Sequence, residues 1–428
     1  MKKRKGVWFL LVLSALCACH DDDEGYEVEE TFTYQVYEPV VRPLSEVREA
    51  VKVNGPGNIT QAGKICLYKD YLYIIDPYKG IHILDNRRPE VPRLAGFIEL
   101  PGTNEVAIRN DRLYADSYID LVWFDLADPE HPLFKGRFER AFEQVLPPVE
   151  KAYAYDGLQC DSIAQQGRSV VVGWKLVTRT VTACHRPPQE NGLDSNANAN
   201  ANANAGQGSR GLNGSMSRFG LYQSYLYVAG DHYLSVFDLA ADEPVKSGTE
   251  ALPINQVETV FNYKDYLFLG TPGGMQIFSL RDPLAPEFCT SVPHIFGQDP
   301  VVVENDLAYV TVHSENPGFR LDNILQVVDI SDVRWPVEVA RYEMTQPFGL
   351  GIDHGTLFVC DDGLKVFRTD HPQQLMANCL LHAPDIKGYD VIPSGPLLML
   401  IAEDGLYQYD YSDLNRISFV SKFPIGED

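Results

Sequence analysis

A short phrase recurs along the chain and restricts its fold more than any other feature: a turn residue, one variable position, a leucine, then an aromatic. It appears as Asp70-Tyr71-Leu72-Tyr73, Asp111-Arg112-Leu113-Tyr114, Ser224-Tyr225-Leu226-Tyr227 and Asp265-Tyr266-Leu267-Phe268. Looser copies are Asp306-Leu307-Ala308-Tyr309, Gly355-Thr356-Leu357-Phe358 and Gly395-Pro396-Leu397-Leu398. The fourth positions, 73, 114, 227, 268, 309, 358 and 398, lie 40 to 49 residues apart except for one interval of 113. A second phrase follows each by about a strand and a turn, as in Leu121-Val122-Trp123-Phe124-Asp125-Leu126 and Leu234-Ser235-Val236-Phe237-Asp238-Leu239. A proline-bearing turn often comes next, such as Asp128-Pro129-Glu130-His131-Pro132, and a short strand such as Arg93-Leu94-Ala95-Gly96-Phe97-Ile98 closes the unit.

Four strands in about 40 residues, repeated seven times, predict an all-β chain, a β-propeller of four-stranded blades. One such sheet cannot bury both faces alone, whereas a ring buries each face against a neighbour and shields the sheet edges. The 113-residue interval has room for one or two further units. Within it, residues 167–177 read as a strand pair but lack the second phrase and the proline turn. Seven blades with an insertion at about 141–212 is the preferred arrangement, and eight blades the alternative. The insertion contains an Asn-Ala alternation at 195–205, which has no apolar face and reads as a disordered surface loop.

Tyr71-Leu72-Tyr73-Ile74-Ile75-Asp76 and Leu325-Gln326-Val327-Val328-Asp329-Ile330-Ser331-Asp332 resemble the LVIVD repeat of bacterial surface β-propeller lipoproteins. The likeness runs over roughly residues 60 to 425. It implies the propeller fold and brings no shared catalytic motif to transfer.

The amino terminus carries a separate message. Lys2, Lys3, Arg4 and Lys5 precede an eleven-residue apolar run, residues 6–16. That is shorter than the ~20 residues a membrane-spanning helix needs, and fits a secretory signal. Leu16-Cys17-Ala18-Cys19 resembles a bacterial lipobox, which implies a signal peptide over 1–18 and lipidation at Cys19. Residues 19–30 then read as a flexible acidic tether, with Asp21, Asp22, Asp23, Glu24, Glu27, Glu29 and Glu30. The tract is similar to that of surface-exported lipoproteins of some Gram-negative anaerobes, and this implies a lipid-anchored, outward-facing place at the outer membrane. Residues 31–58 are expected to pack on the propeller outside the blades, and 59–428 to form the propeller itself.

The 428 residues carry 59 Asp+Glu against 36 Lys+Arg, a formal net charge of −23. A surface so acidic repels a phosphate backbone, which excludes nucleic acid as a partner. Acidic residues recur where the second strand turns into the third in five of the units. A possible ligand face therefore comprises Asp76, Asp116, Asp120, Asp231, Asp361, Asp362, Glu403 and Asp404, with Tyr78, Tyr118 and His313 nearby. Carboxylates gathered around the channel would suit a cation, an amine or sugar hydroxyls, and the aromatics could stack on sugar rings. Asp362-Gly363 and Asp404-Gly405 also suit plain hairpin turns. Cys160 and Cys184, flanking the predicted hairpin of the insertion, form a possible disulfide. No CxxC pair points to structural zinc, and no catalytic or metal-ligating set and no cofactor is assigned. The reading is a binding or interaction module for a glycan, small ligand or envelope partner protein. The alternatives are a carbohydrate-acting propeller enzyme and a scaffold subunit of an envelope complex.

Overall fold

The computed structural model describes residues 28–149, 153–185, 217–230, 233–252, 257–271, 273–293, 300–313 and 323–426, with backbone alone at 28–30 and 182–185. The proposed signal peptide, Cys19, the loop at 195–205 and Asp231 lie outside them. Among the described residues, the strands form seven antiparallel sheets of four or five strands and one sheet of three.

The two recurring phrases are the second and third strands of each sheet. In the first sheet they are Tyr71–Asp76 and Gly80–Asp85, both buried along their whole length. Ile65–Tyr68 and Arg93–Glu99 flank them. The spacing of the phrases has a hydrogen-bonded cause. The residue after the third strand donates its N–H to the turn carbonyl that opens the first phrase: Asn86 to Asp70, Leu126 to Asp111, Leu239 to Ser224, Leu280 to Asp265 and Ile330 to Asp306, at 2.7–2.9 Å. The aspartate ending the third strand caps the following turn. Asp125, Asp238, Asp329 and Asp410 each accept from the N–H two residues on, at 2.8–2.9 Å. The leucine–aromatic pairs are core, with Leu72, Tyr73, Leu226, Tyr227, Leu267 and Phe268 all 0% exposed.

Each of the seven larger sheets has a bulge at one place in its outer strand, opposite a step such as Ile83/Leu84, Ile277/Phe278 or Gln408/Tyr409 in the third strand. A bulge there twists the outer edge and discourages pairing with foreign strands. Each sheet shares an apolar cluster with the next. Leu72, Ile74 and Leu84 of the first sheet meet Met399, Ile401 and Leu406 of the last, so the sheets succeed one another around a ring. The proline turns reach back onto the preceding sheet. Tyr73 donates its hydroxyl to the Pro129 carbonyl at 3.0 Å and Tyr227 to that of Pro283 at 2.7 Å. Between the last sheet and the first, Gln408 and Asn86 exchange two amide hydrogen bonds of 2.8 Å, both side chains buried.

Two segments depart from expectation. Lys52–Asn54 does not stay outside the sheets: it adds a fifth strand to the outer edge of the first, along Arg93–Glu99. Residues 167–177 do not form a strand pair. They enter one long strand, Ser169–His185, whose partner is the distant Val28–Pro43. Local alternation cannot tell a strand that folds back on itself from one that pairs 140 residues away. Ala154–Tyr155 completes this three-stranded sheet, and helices α1 (Leu44–Glu49) and α2 (Gly157–Gln166) accompany it. Leu44 and Val47 of α1 and Val170 pack on Tyr118, with Tyr78 beside them. The layer thus rests on the second-to-third-strand turns of the first two sheets.

Candidate functional site

The described acidic residues at these turns are each engaged by their own donors. Asp76 accepts from the Thr60 N–H and hydroxyl at 3.0 and 2.8 Å and faces Lys79 at 3.4 Å. Burial works against its charge, yet these donors and His82 hold its carboxyl below the usual range. Asp120 is bound by Arg48 at 2.8 Å, Arg137 at 2.9 Å and the Arg140 N–H at 2.8 Å. Asp361 accepts from the Thr345 and Gln346 N–H groups and from Lys365 at 2.6 Å. Asp362 faces His382 at 3.4 Å, Glu403 pairs with Lys387 at 2.7 Å, and Asp404 binds Lys422 and the Tyr407 hydroxyl. Tyr118 sits at φ 58° under α1, and His313 is 3% exposed with its ring 4.8 Å from that of Phe348. Among the described residues, most of these carboxylates are thus held separately, by their own cations and N–H donors. In the insertion Cys160 is a buried free thiol on α2, and the Cys184 side chain falls outside those described. Among the described residues no cluster of three metal-ligating side chains occurs.

One expected pair converges on residues that the repeat pattern did not single out. The first strands of successive sheets are neighbours, Ile65–Tyr68 beside Val106–Arg109 and that strand beside Phe219–Tyr222, and so line the axis of the ring. The residue just before each is Lys64, Glu105 and Arg218. All three hold one backbone position: their carbonyls accept from the N–H of Ile75, Asp116 and Ala229. Lys64 and Glu105 are 6% and 3% exposed and form an ion pair. Arg218 approaches Glu105 Oε1 at 3.5 Å, while its N–H and the Ser217 hydroxyl reach Oε2 at 3.1 and 3.2 Å.

Asp116 lies against this set. Its Oδ1 accepts from the Thr103 hydroxyl and the N–H groups of Asn104 and Glu105 at 2.7–3.2 Å. Burial, reinforced by the Glu105 charge, pushes its carboxyl up to about 6. Tyr78, at φ 64°, is within electrostatic reach of Asp116 and Arg218, and burial pushes its phenol up to about 12. Burial also lowers the Lys64 ammonium, although Glu105 opposes the change. The result is a desolvated patch with two cations, two carboxyls, a phenol and a hydroxyl, drawn from three sheets. It can offer donors and acceptors together to a polar ligand. Sequence reading reached Tyr78 and Asp116 but missed Lys64, Glu105 and Arg218, because they precede the strands rather than belong to a phrase. Their one signal was charge at the step before an apolar first strand.

Residues 300–344 match the family model for the LVIVD repeat. That span contains one whole sheet: Val301–Glu304, Leu307–Val312, Ile324–Asp329 and Val337–Glu343. No curated protein matches the chain. Similar solved structures include Sqt1 of Saccharomyces cerevisiae, with 6% identity over 86% of this chain and 87% of that one and a TM-score of 0.49. The computationally designed Ika8 protein shares 7% identity over 85% and 87%, with a TM-score of 0.48. Kluyveromyces lactis Hsv2 shares 10% over 85% and 97%, with a TM-score of 0.45. The chain thus carries an LVIVD repeat at residues 300–344, within a propeller-like succession of four-stranded antiparallel sheets.

Proposed function

We propose that the chain is a lipid-anchored surface protein whose seven sheets are the blades of one propeller. Its binding site for a polar ligand, a glycan in the first instance, is the patch of Lys64, Glu105, Arg218, Asp116 and Tyr78. One observation carries the site: the same backbone position is Pro300 in the fifth sheet and Gly349 in the sixth, each accepting the equivalent hydrogen bond from Thr311 and Cys360. Proline and glycine there keep the backbone bond without a charge, although the residue before the first strand is also charged in the fourth sheet, Glu258, and in the seventh, Lys387. Burying charge is costly and seldom contributes net stability, so three charges at adjoining copies of a position that tolerates Pro and Gly favour recognition. Mixed donors and acceptors beside a tyrosine suit sugar hydroxyls or a zwitterionic substituent.

A hydrolase would need two carboxyls free to act as acid and as base or nucleophile. Asp116, with its raised pKa, fits the first role. Glu105 does not fit the second, because Lys64, Arg218 and Ser217 occupy both of its oxygens. Binding is the better reading. The test is a glycan array probed with the chain, alongside the Glu105→Gln and Arg218→Met variants. The proposal expects retention on a defined set of glycans and its loss in both variants. Retention on none of the glycans, or equal retention by all three proteins, overturns it.

A further inference from the structure

The paired strands Val28–Pro43 and Ser169–His185 run in unbroken register from Val28/His185 to Val40/Gly173. Directly opposed residues share a face of the ribbon. One face carries Phe32 with Val181, Tyr34 with Arg179, and Val36 with Val177. The other carries Thr33 with Thr180 and Gln35 with Thr178, and the two threonine hydroxyls lie 3.4 Å apart. Over residues 32–36 this is the alternation of a sheet that buries one side, whereas nearer the ring Glu38 with Lys175 follows on the first face and Tyr37 with Leu176 on the second. Near the ring the first face is covered: Val36 is 6% exposed, Ala154–Tyr155 pairs alongside it, and Arg179 is held by Asp156 and Glu38. Farther out Phe32, Tyr34 and Val181 are 42, 38 and 46% exposed. No described element covers them.

We propose that the outer part of this ribbon lies on the lipid bilayer, with Phe32, Tyr34 and Val181 turned into the interface and the threonine face turned to water. The inference rests on the lipid-anchor reading of Cys19. What favours a bilayer is where the chain leaves the structure. Cys19 precedes Val28 by nine residues, which extended span at most about 30 Å. An acylated Cys19 therefore keeps the ribbon tip within reach of the membrane surface. The exposed apolar area, on the order of 250 Å² for three side chains, is far below what a stable pair of copies requires. A covalently tethered surface needs much less, since the anchor raises the effective concentration of lipid at the ribbon. Aromatic and branched side chains opposite a polar face are the usual composition of an interfacial element.

The test uses the full acylated chain in phosphatidylcholine vesicles that contain nitroxide-labelled lipid. A fluorophore is attached at Val181→Cys or at Thr180→Cys, and the labelled unsubstituted chain supplies the background. The proposal expects several-fold stronger quenching at position 181 than at 180, because adjacent strand residues face opposite ways. Mass spectrometry of the same sample reports acylation. Equal quenching on an acylated chain overturns the bilayer-lying ribbon and leaves the anchor standing. An unacylated chain with no quenching at either position overturns both.

Discussion

Replacing Gln408 with leucine tests whether the last sheet closes on the first. The Gln408 amide accepts from Asn86 Nδ2 and donates to Asn86 Oδ1, each at 2.8 Å, and also reaches the Pro89 carbonyl at 3.1 Å. Gln408 is 0% exposed and Asn86 5%. Leucine fills a similar volume, but leaves both polar atoms of Asn86 buried without these partners. Each orphan costs about 1–3 kcal/mol, and the added apolar burial returns about 1. The Pro89 carbonyl keeps its bond from the Ser421 hydroxyl. The expected net loss is about 3 kcal/mol. Asn86→Leu should cost less, about 1–2 kcal/mol, because Gln408 Nε2 keeps the Pro89 carbonyl and the Ser421 hydroxyl and only its Oε1 is stranded. Urea unfolding followed by tryptophan fluorescence gives the numbers, and the double variant completes the cycle. Removing both amides together strands neither, so the double variant should cost about 2 kcal/mol less than the sum of the singles. If the two end sheets do not touch, both singles fall near zero and the cycle is additive. That result would refute the closure argument.

Three further outcomes follow from the packing and electrostatics. The Asp116 carboxyl, raised to about 6 by burial and Glu105, binds a proton in the folded chain that the unfolded chain releases near its ordinary value of 3.8. Its contribution to stability therefore improves as pH falls from 7 toward 4. Asp116→Asn should be more stable than the native chain at pH 7 by about 2–3 kcal/mol and lose that advantage near pH 4, as paired urea titrations would show. Arg48→Ala should loosen α1 and the insertion layer at a cost of about 2 kcal/mol, since Asp120 is fully buried and keeps only Arg137 and the Arg140 N–H. Proteolysis between residues 44 and 50 reports it. Gly363→Ala should cost more than about 2 kcal/mol, because φ is 101° and a β-carbon would collide with the Ala383 carbonyl; an unchanged melting temperature would contradict this.

Much of the architecture could be read from the chain because it is repetitive and locally determined. The phrase ending in Asp125 or Asp238 marks a third strand since the aspartate caps its own turn two residues on, a contact that sequence spacing exposes. The leucine–aromatic pairs mark the second strand for the same local reason. The insertion was not legible in this way. Ser169–His185 finds its partner at Val28–Pro43, and nothing near residue 170 indicates so distant a pairing. Lys52–Asn54 joins the first sheet for a comparable reason: an outer edge accepts a strand from anywhere it can reach. At the candidate site, Asp116 and Tyr78 were reached from their place where a second strand turns into a third. Glu105 gains its meaning only when three sheets bring Lys64 and Arg218 beside it. Charged residues flanking strands are common in any chain, so the ring geometry had to single these out.

The most direct measurement of the central claim compares the native chain with a triple variant, Lys64→Met, Glu105→Gln and Arg218→Met. Affinity for an array-selected glycan and the unfolding midpoint are recorded on one sample of each. If these charges serve recognition, the variant keeps its midpoint or gains a little and loses the glycan. A variant that unfolds several kcal/mol more easily, or that binds as tightly as the native chain, would contradict that claim.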